Sequence, residues 1–261
     1  MAIKLIDALE PIVKLKKGAK MLNVIRAFVE TGVLAAVIEG RPDAFLTIED
    51  AAEEVRLATN LFEVLASPPP LKPQRFASHD RSLASVLRSV PEKYIFVTRG
   101  DSVLGVVTPR SAFKALSARV RLSDIGRTLR SADIAVLWPH TTIKGALRKM
   151  ARERAVFAVV HTRGRVRGVL SLHMLLGLLV RREILDRVMR GDDGYYLDTT
   201  VASIPCDRRT VFPHSELTKR KIVEVLSRYG NLVVTRAGYL EFFFSDSSLH
   251  EYVRSLAVRT P

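Results

Sequence analysis

The sequence repeats one local pattern four times, and this recurrence constrains the fold more than any other feature. In each copy a short apolar run is followed by Thr or Ser and then by a segment typical of a helix start. A repeating unit of about 50 residues is too small to bury a stable core alone, so we expect the units to pair. The copies lie at residues 44–52 (AFLTIEDAA), 105–113 (GVVTPRSAF), 168–176 (GVLSLHMLL) and 242–250 (FFFSDSSLH).

Within each unit the sequence predicts a short strand, a helix, a β-hairpin and a second helix. In the first unit, Met21, Ile25 and Phe28 have helical spacing, and Gly32 is typical of a helix C-terminus. The second unit has a Gly-Asp pair at 100–101 between two apolar runs, which indicates a hairpin turn. Helices that alternate with hairpins in this way predict the α+β fold class.

The composition bounds the class of protein. Apolar residues make up 48% of the 261 residues, enough for a sizeable core, and the single cysteine, Cys206, excludes an internal disulfide. The longest apolar stretch, residues 169–180, is too short to span a bilayer. Residues 1–18 lack the apolar segment of a signal peptide. Together these features favour a cytoplasmic location and no contact with a membrane.

The chain is strongly basic. It has 41 Lys and Arg residues against 27 Asp and Glu residues, a formal net charge of +14, and arginines are dense at residues 148–190. Such a surface attracts polyanions, so an acidic protein or a nucleic acid, bound without sequence specificity, is a candidate partner. The alternative is a thermophilic protein whose charges form surface ion-pair networks.

The repeated pattern resembles the cystathionine-β-synthase (CBS) domain. The resemblance covers nearly the whole chain and is strongest in the second unit (YIFVTRGDSVLGVVTPRSAF) and the third (FAVVHTRGRVRGVLSLHML). The first and fourth units depart from it, because Ala44 and Leu240 stand where the family has a glycine. Four units resemble two Bateman modules, each a pseudo-twofold pair of CBS repeats. The expected division is pair 1 at residues 1–120, with repeats at about 8–60 and 70–120, and pair 2 at residues 121–261, with repeats at about 125–183 and 195–261.

The resemblance implies a regulatory or sensor protein without catalytic activity. CBS pairs bind AMP, ADP, ATP or S-adenosylmethionine in clefts between repeats and transmit occupancy to a partner. In the family, an acid three residues after the Thr or Ser holds the ribose, and the hydroxyl meets a phosphate. Thr47 and Asp50 match both positions, so we expect the ligand mainly in pair 1. Further candidate ligand-binding residues are Ile12, Val13, Lys93, Thr108 and Ser111.

Other interpretations stay open at this point. The sequence T-x-x-D is also a helix capping box, which would need no ligand at Thr47 and Asp50. For Lys93, a solvated lysine is favoured over a residue directed toward a phosphate. The six histidines lack metal-ligand spacing, so no metal is expected. The chain could also be a homodimer through its CBS pairs, a nucleic-acid-binding protein, or a scaffold whose ligand sites have decayed.

Overall fold

The computed structural model describes residues 3–39, 41–73, 76–121 and 135–258. Repeats 1 and 2 each contain the predicted strand, helix, hairpin and helix, and repeat 1 adds a short helix and an edge strand. In repeat 1 these elements are β1 (Val13–Leu15), α1 (Met21–Thr31), β2 (Ala35–Ile38), β3 (Arg41–Thr47), α2 (Ile48–Leu57), α3 (Leu61–Ala66) and β4 (Lys72–Pro73). In repeat 2 they are β5 (Phe76–Ser78), α4 (Leu83–Ser89), β6 (Ile95–Arg99), β7 (Ser102–Val107) and α5 (Pro109–Leu116).

Repeats 3 and 4 follow the same order, with two extra helices between them. Repeat 3 consists of β8 (Val136–Leu137), α6 (Ile143–Arg152), β9 (Phe157–Thr162), β10 (Arg165–Ser171) and α7 (Leu172–Leu179). The helices α8 (Arg182–Val188) and α9 (Gly194–Leu197) come next. Repeat 4 consists of β11 (Val211–Pro213), α10 (Lys219–Tyr229), β12 (Leu232–Arg236), β13 (Tyr239–Phe244) and α11 (Asp246–Val258).

The recurrent Thr or Ser is the N-cap of the second helix in every repeat. Its side-chain oxygen accepts a hydrogen bond from the backbone N–H three residues later, which satisfies a donor that the helix itself leaves unpaired. The pattern found in the sequence is therefore first of all a folding signal. The four bonds are Asp50 to Thr47 (3.2 Å), Ser111 to Thr108 (3.1 Å), Met174 to Ser171 (3.2 Å) and Ser248 to Ser245 (3.3 Å).

Each repeat forms the same small sheet. Its first strand pairs in parallel with the second, and the second pairs antiparallel with the third, as in β11–β12–β13. In pair 2 the two sheets join into one of six strands, because β10 and β13 pair at Arg165 and Tyr239. The predicted α+β class is confirmed: four repeats, each with a strand, a helix, a hairpin and a second helix, are arranged as two pairs.

The core shows how the pairs are held together. The sheets pack within a pair: Val37 and Phe96 share one cluster, and Val159 and Val233 share another. The helices pack between pairs, with α1 and α2 against α7 and α6, and with α4 and α5 against α11 and α10. Each pair therefore buries its helical face on the other pair. The exact division at residues 120 and 121 stays a prediction, since it borders residues 122–134, which lie outside the described part.

Candidate functional site

Two clefts lie where the repeats meet. The first, here called the four-repeat cleft, has a volume of about 310 Å³. The second, the Asp50 cleft, has a volume of about 450 Å³ and is lined by residues of repeats 1, 2 and 3. The four-repeat cleft takes two or more residues from every repeat, among them Gly32, Leu34, Thr108, Arg110, Ser171, His173, Thr210 and Asn231.

The Asp50 carboxylate is already bonded within the chain. Its Oδ2 accepts hydrogen bonds from the Thr47 backbone N–H (2.9 Å) and from the Thr47 hydroxyl (2.6 Å). Its Oδ1 forms an ion pair with Lys72. Both oxygens that would hold ribose hydroxyls thus serve the capping box and one lysine.

Serine performs the same capping function in two other repeats. The Ser111 hydroxyl accepts from the Thr108 backbone N–H (2.9 Å), and the Ser248 hydroxyl accepts from the Ser245 backbone N–H (3.3 Å). Met174, at the corresponding place in repeat 3, has no side-chain oxygen that could accept this bond. The residue three places after the hydroxyl is therefore explained by helix capping in three repeats, and a role of Asp50 in ribose binding stays a prediction.

A buried ionic cluster lies between the two clefts. Lys93 Nζ forms ion pairs with Glu49 (2.7 Å) and with Asp246, and it donates to the Arg154 carbonyl (3.2 Å). Asp246 also accepts from the Val156 backbone N–H (2.9 Å). The Lys93 side chain is 15% exposed, so the interpretation of this residue as a solvated lysine is wrong.

The cluster joins all four repeats and its members face different clefts. Glu49 and Lys93 line the Asp50 cleft, and Asp246 lines the four-repeat cleft. Burial raises the pKa of Glu49 above its usual range, although the Lys93 ammonium opposes this. Burial would lower the pKa of Lys93, but the Asp246 and Glu49 carboxylates outweigh it and hold that pKa above its ordinary value.

The two clefts differ in charge. Seven charged side chains line the Asp50 cleft, and they are Glu49, Asp50, Glu53 and Glu92 against Lys72, Lys93 and Arg154. In the four-repeat cleft the balance is reversed, with Arg110, Arg209 and Arg228 against Asp207 and Asp246. The four-repeat cleft is therefore the more favourable environment for an anion.

The arginines of the four-repeat cleft are held in place by the fold. Arg110 pairs with Glu10 (2.8 Å) and also donates to the Arg228 carbonyl (3.3 Å). Arg209 pairs with Asp207 (2.6 Å). The Arg228 guanidinium lies over the Tyr229 ring, 5.3 Å from its centroid. These contacts order the cations before any ligand enters.

Two buried polar atoms of the four-repeat cleft have neither a hydrogen bond nor an ion pair within the described part of the chain. They are Thr210 Oγ1 and Asn231 Oδ1, and their residues are 2% and 3% exposed. They lie at the starts of the neighbouring parallel strands β11 and β12, where the Val233 N–H donates to the Thr210 carbonyl (2.8 Å). A buried polar group without a partner is costly, so this pair of atoms indicates a ligand that bonds to them.

The structure separates the residues that the sequence suggested. Thr47, Asp50 and Lys93 line the Asp50 cleft, and Thr108 lines the four-repeat cleft. Ser111 is buried, and its hydroxyl oxygen accepts a hydrogen bond from the Thr108 backbone N–H. Ile12 packs against the sheet core of pair 1 and Val13 against the helical core, and neither lines either cleft. Sequence reasoning missed Arg110, Arg228, Thr210 and Asn231, for which no local motif exists.

The comparisons with known proteins agree with this architecture. A family model of the CBS domain matches residues 123–188, and no curated protein matches the sequence. The protein MJ1225 from Methanocaldococcus jannaschii, described as a candidate archaeal homologue of g-AMPK, has a similar structure with a TM-score of 0.79. The two sequences are 13% identical, and the match covers 96% of this chain and 99% of that chain. An uncharacterized conserved protein from Pyrococcus horikoshii matches with a TM-score of 0.54 and 15% identity, over 97% of this chain and 100% of that chain.

The family match and the structural similarity cover different shares of the chain. The resemblance to the CBS family is confirmed by the model match at residues 123–188, and the structural similarity shows that the chain as a whole shares the fold of MJ1225. No helix in the described part has the length and apolarity needed to cross a membrane. The same residues contain no cluster of three His, Cys, Asp or Glu side chains that could hold a metal ion.

Proposed function

We propose that this protein is a non-catalytic regulatory protein that binds an adenosine nucleotide in the four-repeat cleft. The observation that carries the proposal is the pair of unpartnered atoms, Thr210 Oγ1 and Asn231 Oδ1, in a cleft lined by three arginines. A nucleotide has the two parts that such a cleft can satisfy, a base with N–H groups and an anionic phosphate.

The polar pair favours an aminopurine base. The Asn231 side-chain amide donates to the Tyr229 carbonyl (3.2 Å), which leaves its oxygen as an acceptor. The 6-amino group of adenine donates hydrogen bonds, so it can satisfy the Asn231 oxygen and the Thr210 hydroxyl oxygen. A 6-oxopurine presents an acceptor at that position and would leave the Asn231 oxygen unpaired.

Two helix starts and the arginines favour the phosphate. Thr108 and Ser171, the N-caps of α5 and α7, both line the four-repeat cleft. The free backbone N–H groups and the positive end of a helix attract anions. Arg228 adds a positive charge to the cleft lining, and so does Arg110, whose charge is partly balanced by its pair with Glu10. This placement differs from the sequence expectation, which put the main site at Asp50 in pair 1.

Regulation is supported by the position of the cleft. A ligand there would contact residues from every repeat, and the repeats are joined by the Lys93 cluster directly behind the cleft. Binding that favours one arrangement of the repeats shifts the population of that arrangement and can be read by a partner. The proposal is tested by isothermal titration calorimetry, which measures the affinity of the protein for AMP, ADP, ATP and S-adenosylmethionine.

We expect the phosphate-bearing ligands to bind more tightly than S-adenosylmethionine, and ATP more tightly than ITP. Thr210→Val and Asn231→Leu remove the two acceptors and should weaken ATP binding. Equal binding of ATP and ITP, or tightest binding of S-adenosylmethionine, would contradict the proposed mode. Absence of binding by all of these ligands would contradict the function itself.

A further inference from the structure

Two hairpins of pair 2 meet at one end of the six-stranded sheet. The turn between β9 and β10 is Arg163–Gly164, and the turn between β12 and β13 is Ala237–Gly238. The strands that follow the turns pair with each other through Arg165 and Tyr239. The two tips are therefore side by side, at the opposite end of the strands from the helix starts.

The two tips are packed into each other. A Cβ atom added to Gly164 would lie 3.2 Å from the Tyr239 ring, so the ring rests directly on this glycine. A Cβ atom added to Gly238 would lie 3.5 Å from the Arg165 side chain, which crosses the second turn in the same way. Tyr239 is nevertheless 52% exposed. The ring is thus held in position with a large apolar surface open to solvent.

The backbone at these tips is strained. Arg163 has φ 51° and Ala237 has φ 52°, the left-handed region that residues with a side chain seldom adopt. Each precedes a glycine with positive φ, which is the geometry of a type I′ turn. Asn is the preferred first residue of that turn, so an exposed arginine at 163 is a conformational disadvantage that the hairpin alone does not require.

The charge at this end of the sheet has one sign. Residues 138–140, 161–165 and 236–239 contain three arginines and two histidines and no Asp or Glu. The carboxylate of Glu241, two residues after Tyr239 on β13, is paired with Arg236 (2.6 Å) and His214 (2.8 Å). In pair 1 the β6–β7 turn carries Asp101, so the two pairs differ here.

A second exposed aromatic residue lies at the same end. Trp138 follows the edge strand β8, is 45% exposed, and contacts His161 edge-on with ring centroids 6.0 Å apart. From β8 the sheet order runs through β9 and β10 to β13, where Tyr239 begins. Three strand spacings separate Trp138 from Tyr239, about 14 Å.

We propose that this end of the sheet binds single-stranded nucleic acid. Exposed, ordered aromatic rings stack on bases, and arginines between and beside them neutralise phosphates. The absence of carboxylates among these residues fits a polyanion, and the flat rings favour bases over the side chains of an acidic peptide. The binding has no sequence preference, because every base has a stacking face. This surface is separate from both clefts, so the inference does not depend on the proposed nucleotide site.

The test is fluorescence anisotropy of the full chain with a labelled oligouridylate and a duplex of equal length, at about 50 mM salt, where phosphate contacts are strong. We expect the single strand to bind more tightly than the duplex. Tyr239→Ala should weaken single-strand binding by about fivefold or more through lost stacking. Tyr239→Phe, which keeps the ring, should bind like the unmodified chain.

Arg163→Asn separates binding from folding. This change relieves the left-handed strain, so we expect an unchanged or higher melting temperature together with several-fold weaker binding. Asp101→Asn in the corresponding turn of pair 1 is the matched control and should leave binding unchanged. The proposal would be overturned if the Tyr239→Ala and Arg163→Asn variants bound the single strand as tightly as the unmodified chain. It would also be overturned if a polyglutamate peptide bound as tightly as the single strand, with equal affinity for the unmodified chain and for Tyr239→Ala.

Discussion

Both clefts contain the repeated helix-capping hydroxyl, but they differ in whether the polar atoms around it already have hydrogen-bond partners. In the Asp50 cleft the hydroxyl and the acid that follows it bond to each other and to Lys72. In the four-repeat cleft, Thr108 and Ser171 cap their helices in the same way, but Thr210 and Asn231 of the same lining have buried atoms without partners in the described part of the chain. The comparison teaches that a ligand site is marked by polar groups that the fold leaves unsatisfied, and that an intact motif whose atoms are all bonded is sufficiently explained by folding.

The largest expected effect on stability comes from the buried ionic cluster that lies between the two clefts. Lys93→Met would leave the Glu49 and Asp246 carboxylates buried without their cation. We expect the free energy of unfolding to fall by about 3–5 kcal/mol, measured by urea denaturation. Lys72→Met is the matched control, because Lys72 is 61% exposed in its pair with Asp50, and it should cost less than about 1 kcal/mol. Equal decreases in the free energy of unfolding of the two variants would show that the buried cluster contributes no more to stability than an exposed ion pair.

A histidine near this ionic cluster should make the stability of the protein depend on pH. His250, on α11, is partly buried near Arg254 and Lys93, and burial lowers its pKa from 6.5 to about 4. The unfolded chain therefore binds a proton at a higher pH than the folded chain does. Stability should fall as the pH drops from about 6.5 to about 4, by about 2–3 kcal/mol in total. His250→Gln should flatten this part of the unfolding profile, and an unchanged slope would contradict the low pKa.

Local signals predicted the repeat well. Gly32 ends α1 in the left-handed conformation, with φ 67°, and the four hydroxyls cap four helices as expected. The helices α3, α8 and α9 were not predicted, because short segments between repeats have weak periodicity. The sequence also does not indicate that the helices pack between pairs rather than within them, because the apolar face of a helix does not identify the element against which it packs.

The candidate site was only partly predictable for the same reason. Lys93 is buried because Asp246, far along the chain, comes to lie beside it. Thr210 and Asn231 become neighbours only through the parallel pairing of β11 with β12. Contacts between distant segments carry no local motif, so the residues that distinguish the two clefts emerge only from the assembled repeats.

The capping role of Asp50 has a small and specific consequence for stability. Asp50→Ala removes the acceptor for the Thr47 backbone N–H and should cost about 1 kcal/mol, a typical value for a lost cap interaction. Asp50→Ser should cost less, because serine already makes this bond at Ser111 and Ser248. Chemical denaturation of both variants measures the difference. A serine variant as unstable as the alanine variant would indicate that the charge matters more than the bond.

The central claim, that the nucleotide binds in the four-repeat cleft and not in the Asp50 cleft, is tested most directly by ATP titration of Thr210→Val and Asp50→Ser side by side. Loss of one hydrogen bond of about 0.5–1.5 kcal/mol should weaken ATP binding to Thr210→Val by about 2- to 13-fold. Asp50→Ser should bind ATP with unchanged affinity. Weaker binding by Asp50→Ser together with unchanged binding by Thr210→Val would contradict the account and place the ligand at Asp50.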